Sequence, residues 1–232
     1  MLIGILQTDS VRERFRPEFG DYPDMFTRLL DAARPGALSY LTIDCLAMRY
    51  PEPGACDAYL ITGSKCSVYD DEPWIEALAD FVGAVLGSGG KVVGVCFGHQ
   101  LVAHFFGGRT QHVGWAVGVQ ATEVVQHASW MEPSMTRVGL LSSHQDQVVE
   151  LPSQAIAIMR TPFCPISGYV MGDQVLALQG HPEFTKGYSA ALMNMRQELL
   201  GASTFEQGMA SLSDDTHEQE VAQWMLGFMD GR

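Results

Sequence analysis

Residues 91–107 read KVVGVCFGHQLVAHFFG, and the fold turns on how this stretch is parsed. Lys91 to Val95 is a short β-branched apolar run of the kind that forms a buried strand. From Gly98 onward Leu101, Val102, Phe105 and Phe106 recur at helical spacing. Cys96 falls at the turn between the two, with Gly94 and Gly98 flanking it two residues away on either side. A sharp strand-to-helix turn brings neighbouring backbone too close for side chains at those positions, so the pattern predicts the cysteine form of a nucleophile elbow. A sulfur at the mouth of a helix meets unpaired N–H groups and the positive end of the helix dipole, and both stabilise a thiolate over a thiol. The bland alternative is a packed core cysteine, since free cysteine is among the most buried residue types.

Working outward, Leu2 to Leu6 reads as a buried strand followed by a polar loop through Gly20. Tyr22, Met25, Phe26, Leu29, Leu30 and Ala33 form one apolar helical face that stops near Pro35 and Gly36. Strands are predicted over Leu38 to Leu46 and Ala58 to Thr62. A helix starting at Asp71 and Pro73 buries Trp74, Ile75, Leu78, Phe81, Val82 and Val85. This alternation is the order of a parallel sheet with helices on its faces, in which ligands bind at the carboxyl ends of the strands, where both Gly63 and Cys96 fall. After Gly107 the texture changes. Arg109 to Val125, Thr136 to Val149, Ala155 to Thr161, Ile166 to Met171 and Val175 to Gln179 are strand-like pieces that add antiparallel hairpins. A helix from about Thr185 to Leu200 carries Tyr188, Leu192, Met195 and Leu199 on one side, and a last helix near His217 to Met229 buries Val221, Trp224, Met225 and Phe228. The fold class is therefore α/β, with a mostly parallel central sheet flanked by helices and extended by antiparallel strands.

With 232 residues, 47% hydrophobic content and no linker-like stretch, the chain reads as a single domain, 1–232. A net charge of −13 opposes any extended nucleic-acid or anionic-membrane surface, so small molecules or proteins are the expected partners. The amino-terminal apolar run is too short for a signal peptide and no stretch is long enough to span a bilayer, which points to the cytoplasm. Five scattered cysteines without a C-x-x-C pair suggest neither a disulfide framework nor a zinc site, and no metal or other cofactor is expected.

A thiolate attacking a carbonyl carbon needs a base and a group that orients it. His181 stands out among seven histidines, because QGHPEF follows the apolar strand Val175 to Leu178 and places the imidazole just past a strand end. Glu183, two residues on, can direct its carboxylate along the same side as the ring. A surface turn with an incidental His and Glu is the alternative. His99, nearer in sequence, points along the elbow helix and reads as structural, whereas His144 stays an open choice. His104, His112, His127 and His217 show no partner spacing that suggests chemistry. An oxyanion hole needs only backbone N–H groups. Phe97, directly after the cysteine, supplies one, and the strand-end loop with Gly63 and Ser64 is the best source of the second.

Taken together and in this order, ITGSKCSVYD, GVCFGHQ, SSHQDQV and QGHPEF resemble the class I, triad-type glutamine amidotransferases, nearest to stand-alone relatives of the glutaminase domain of GMP synthetase. The resemblance spans Leu2 to about Leu200 and implies a flavodoxin-like fold with Cys96 as nucleophile, His181 as base and Glu183 as orienting carboxylate. It further implies that Gln100 contacts the substrate and that Gly114, Trp115, His144 and Asp146 border its pocket. The implied reaction is hydrolysis of the glutamine γ-carboxamide through a γ-glutamyl thioester, with the ammonia passed to a synthetase or other acceptor subunit. The runner-up is a stand-alone γ-glutamyl peptidase using the same triad, and the third reading is a binding module that keeps the fold without the chemistry. One departure stands out: Gly63-Ser64-Lys65 occupies the place where many relatives carry Gly-Gly-Pro.

Overall fold

The computed structural model describes residues 1–231. The chain runs through β1 (Leu2–Gln7), α1 (Arg16–Phe19), α2 (Tyr22–Ala33), β2 (Ser39–Asp44), a 3-10 turn (Cys45–Ala47), β3 (Ala58–Ile61), α3 (Pro73–Gly87), β4 (Val92–Val95) and α4 (Phe97–Phe105). It continues with β5 (Arg109–Val124), β6 (Arg137–Glu150), β7 (Ala155–Arg160), β8 (Gly168–Met171), β9 (Val175–Leu178), α5 (Lys186–Met195), α6 (Gln197–Leu200), α7 (Ala202–Ser211) and α8 (Glu218–Asp230). Nine strands form one sheet in the order β2-β1-β3-β4-β9-β8-β7-β5-β6. The pairs from β2 to β9 are parallel and those from β9 to β6 antiparallel, so the sheet changes character at β9. The α/β architecture expected from the sequence is the one observed.

β3, β4 and β9 are buried at every position, as apolar strands covered on both faces must be. On one face α2 and α8 bring Phe26, Leu30, Trp224 and Phe228 against Ile3, Ile5 and Val93. On the other, α3 and α4 pack Leu78, Val82, Leu101 and Val102 against Leu6, Tyr59 and Ile61. The start of α2 is fixed by a capping box: Asp21 accepts from the Tyr22 amide, and the Asp24 carboxylate accepts from the Asp21 amide at 2.8 Å. Among the described residues no helix is long and apolar enough to cross a membrane.

Three local expectations are corrected. The segment before α2 contains the short helix α1 rather than loop alone. The helix from Thr185 breaks at Arg196, which has φ −108° and ψ 14°, so the predicted apolar side ends at Met195 and Leu199 is turned out to 66% exposure. Helix α7 was not anticipated; it lies across β5, where Ser211 Oγ accepts from the Val119 amide at 2.9 Å.

The elbow depends on close approach of backbone. A Cβ on Gly94 would lie 2.6 Å from the Gly98 carbonyl carbon and oxygen, and one on Gly98 would lie 2.7 Å from Ile61 Cβ. The first turn of α4 can therefore press onto β4 and β3 only if both positions lack side chains. Gly94→Ala is expected to destabilise the fold by roughly 1–3 kcal/mol through overpacking. Gly54→Ala, whose Cβ would meet nothing within 4 Å, should shift stability by no more than about 0.5 kcal/mol. Equal urea midpoints for the two variants would contradict this packing account.

Candidate active site

Cys96 ends β4 and caps α4 with φ 52° and ψ −98°, one of two non-glycine residues with positive φ among those described. Such a backbone costs on the order of 1–3 kcal/mol and persists only where its surroundings dictate it. Here the glycine contacts do so, and they leave the sulfur at the junction of two cavities, about 260 Å³ and about 70 Å³ in volume.

β9 is the parallel neighbour of β4, with Leu178 opposite Val95. Three residues past its end, the His181 amide donates to Leu141 O at 2.7 Å, fixing the backbone from which the ring projects. His181 Nδ1 lies 2.7 Å from Glu183 Oε1, and both side chains are buried. Phe184 stacks on the imidazole with ring centroids 3.9 Å apart and planes at 11°. Gly63 leaves room for the ring, since a Cβ there would sit 3.0 Å from His181 Cε1 and 3.7 Å from Cys96 Cβ. Cys96, His181 and the Gly63 loop thus meet at one point. Burial alone would strip the proton from His181. The Glu183 carboxylate and the charge and contact of the Cys96 sulfur outweigh it, pushing the pKa up to about 10.

The Gly63-Ser64-Lys65 loop is tied down by side chains. Thr8 Oγ1 donates to Gly63 O at 2.9 Å, Ser64 Oγ donates to Thr8 O at 3.3 Å, and Asp9 holds the Lys65 amide and ammonium, each at 3.1 Å. Among the described residues the amides of Ser64 and Phe97 have no acceptor.

Gln100 is buried and donates through Nε2 to Asp146 O at 2.9 Å and to Gln179 Oε1 at 3.1 Å, which leaves its own Oε1 toward the smaller cavity it lines. His144 lines that cavity as well, donating from Nδ1 to Asp146 O at 3.0 Å. Burial, offset in part by that bond and reinforced by the charge on His181, lowers its pKa to about 4, so His144 is neutral. The Asp146 carboxylate accepts from Ser67 Oγ, and His112 Nδ1 stands 3.4 Å away. Trp115 borders the cavity, whereas Gly114 lies on the irregularity between His112 and Ala116 in β5 and lines neither cavity at Cys96. His99 is fully buried beneath the elbow against Tyr169, with its pKa lowered to about 3 by burial first and His144 second. Among the described residues no group of three or more His, Cys, Asp or Glu could hold a metal ion.

Sequence reasoning missed Phe184, Thr8 and Arg196. Arg196 lines both cavities, donating to Ser143 Oγ at 2.8 Å, its guanidinium 5.3 Å from the Trp115 ring centre. Its position at a helix break carried no motif. Phe184 could have been suspected as the aromatic neighbour of His181.

Residues 42–196, which include Cys96, His181 and Glu183, match the family model described as glutamine amidotransferase class-I. Over 216 residues the chain is 28% identical to gamma-glutamyl peptidase 4 of Arabidopsis thaliana, covering 88% of this chain and 83% of that protein. It is 32% identical over 222 residues to a glutamine amidotransferase-like protein of Schizosaccharomyces pombe, with 88% and 86% covered. Its fold superposes on the crystal structure of a glutamine amidotransferase from Thermotoga maritima with a TM-score of 0.72 over 98% of this chain and 95% of that one, at 17% identity. The chain is an enzyme of the class I glutamine amidotransferase family.

Proposed function

We propose that the protein hydrolyses γ-glutamyl amide bonds through a Cys96–His181–Glu183 triad and a γ-glutamyl thioester. The observation that carries this reading is the convergence at one cavity of a cysteine in a strained elbow, an imidazole held 2.7 Å from a buried carboxylate and the acceptor-free amide of Ser64, with the acceptor-free amide of Phe97 directly after the cysteine. The Cys96 sulfur attacks the γ-carbonyl carbon while the oxygen takes up charge against those amides. Collapse of the tetrahedral species breaks the C–N bond, and the His181 imidazolium gives its proton to the departing nitrogen. Water, losing a proton to His181, then attacks the thioester; the C–S bond breaks and glutamate leaves. Glu183 keeps Nδ1 protonated and the opposite nitrogen aimed at sulfur and leaving group.

Glutamine satisfies this scheme with ammonia as the leaving group, which a separate acceptor subunit would then receive. The 260 Å³ cavity beside the nucleophile leaves room for a larger leaving amine as well. The Arabidopsis relative matched over 83% of its length is named a gamma-glutamyl peptidase, which supports such an amine.

With purified protein and glutamine or a γ-glutamyl dipeptide, Cys96→Ala should lower glutamate release by more than about 10³-fold. Hydroxylamine should divert the wild-type reaction to γ-glutamyl hydroxamate and should yield none with the variant. Undiminished glutamate release by Cys96→Ala would refute the triad.

The raised His181 pKa also links the site to stability. A histidine whose folded pKa lies above its unfolded value of about 6.5 stabilises the fold fully below that pH, and the contribution is lost as pH rises toward about 10. In urea titrations the stability advantage of the wild type over Glu183→Gln should therefore be greatest near pH 6 and shrink between pH 6.5 and 10. A gap that is constant or widens over this range would show that Glu183 does not hold the proton on His181.

A further inference from the structure

The two cavities that meet at Cys96 share Lys65 and Arg196, and the larger adds Arg12 and Asp9. In a chain with 27 acidic residues against 14 lysines and arginines, positive side chains gathered around one cavity stand out against the overall charge. Lys65, at the mouth, is paired with Asp9. Arg12 and Arg196, which line the larger cavity, take part in no ion pair among the described residues. Arg196 is half-buried and fixed, with Ser143 on one side and the Trp115 ring beneath it, so its remaining N–H donors point from a settled position. Arg12 reaches the same space from the loop after β1 and borders only the larger cavity. The wall between them is apolar and aromatic, formed by Tyr22, Tyr188, Leu192 and Met195.

With Asp9, the carboxylate on this cavity, held by Lys65, the guanidinium groups of Arg12 and Arg196 beside the reacting centre select for an anion, and a planar fork suits a carboxylate. We infer that the larger cavity receives the leaving amine as an amino acid or short peptide, and that Arg196 and Arg12 bind its carboxylate and thereby set the enzyme's specificity. The inference rests on the γ-glutamyl hydrolase reading. Ammonia has no carboxylate, so glutamine gains nothing from this pair, whereas a γ-glutamyl amino acid gains charge-assisted hydrogen bonds in addition to the wall contacts.

The test compares γ-glutamylglycine with γ-glutamyl methylamide, which differ only in the leaving-group carboxylate; identical acyl halves cancel any contact that Arg196 makes there. The wild type should favour the dipeptide by about 20-fold or more in kcat/KM, in the range charged hydrogen bonds supply. In Arg196→Gln and Arg12→Gln that ratio should fall to within about 3-fold of unity, mainly through KM, and Arg196→Lys should recover part of it. Arg12 is exposed and its replacement leaves the Ser143 and Trp115 contacts intact, so a folding defect in the Arg196 variants would not hide the result. A wild-type ratio near one, a ratio unchanged in both glutamine variants, or hydrolysis of glutamine alone would overturn the inference while leaving the hydrolase reading in place. Absence of glutamate from glutamine and from both γ-glutamyl compounds would overturn that reading itself, and this inference with it.

Discussion

Backbone pressed against backbone at Gly94 and Gly98 sets the geometry of everything around it. With no Cβ at either position, the first turn of α4 lies on β4 and on Ile61 of β3, and the intervening residue has no choice but a positive φ. The resulting strain is small beside the burial it accompanies: Phe97, Leu101 and Val102 all pack into the core on that face. The sulfur is placed by the fold rather than by its own bonds, so its position is rigid although it sits in a turn. The same contacts put the amide of Phe97 at the start of a helix, where it has no intrahelical acceptor.

The imidazole is positioned by different means. Its backbone is held by Leu141 on β6, its ring is pressed by Phe184, and its Nδ1 is held by Glu183. Gly63, having no side chain, lets its loop come up against the ring. These contacts hold the ring in place, and of its neighbours Glu183 and Cys96 keep it protonated where burial alone would not. His144 shows the contrast. It is equally buried nearby, but its Nδ1 faces a carbonyl rather than a carboxylate, and it is neutral.

Most of the architecture was legible because it rests on local rules. Apolar periodicity located α2, α3, α8 and the strands to within a few residues, and the glycine spacing around Cys96 located the elbow. His181 and Glu183 could be paired from their spacing after an apolar strand. What escaped depends on contacts between segments distant in the chain. Helix α7 is mostly small and polar, with a single buried residue, Gly208, so no apolar stripe announces it. The break at Arg196 has neither glycine nor proline to mark it. Thr8, tied to the Gly63 loop 55 residues away, looks like any threonine after a strand. Gly114 is the converse case: it neighbours Trp115 in sequence, yet it lies at the irregularity in β5 and lines neither cavity at Cys96.

Sulfur and imidazole ride on adjacent strands whose pairing is fixed at Val92–Val175, Val93–Leu176, Gly94–Ala177 and Val95–Leu178. Shifting β9 by a single residue along β4 would carry the ring about 3.3 Å and turn its strand inside out. Alignment of the chemistry is thus an arithmetic property of one ladder.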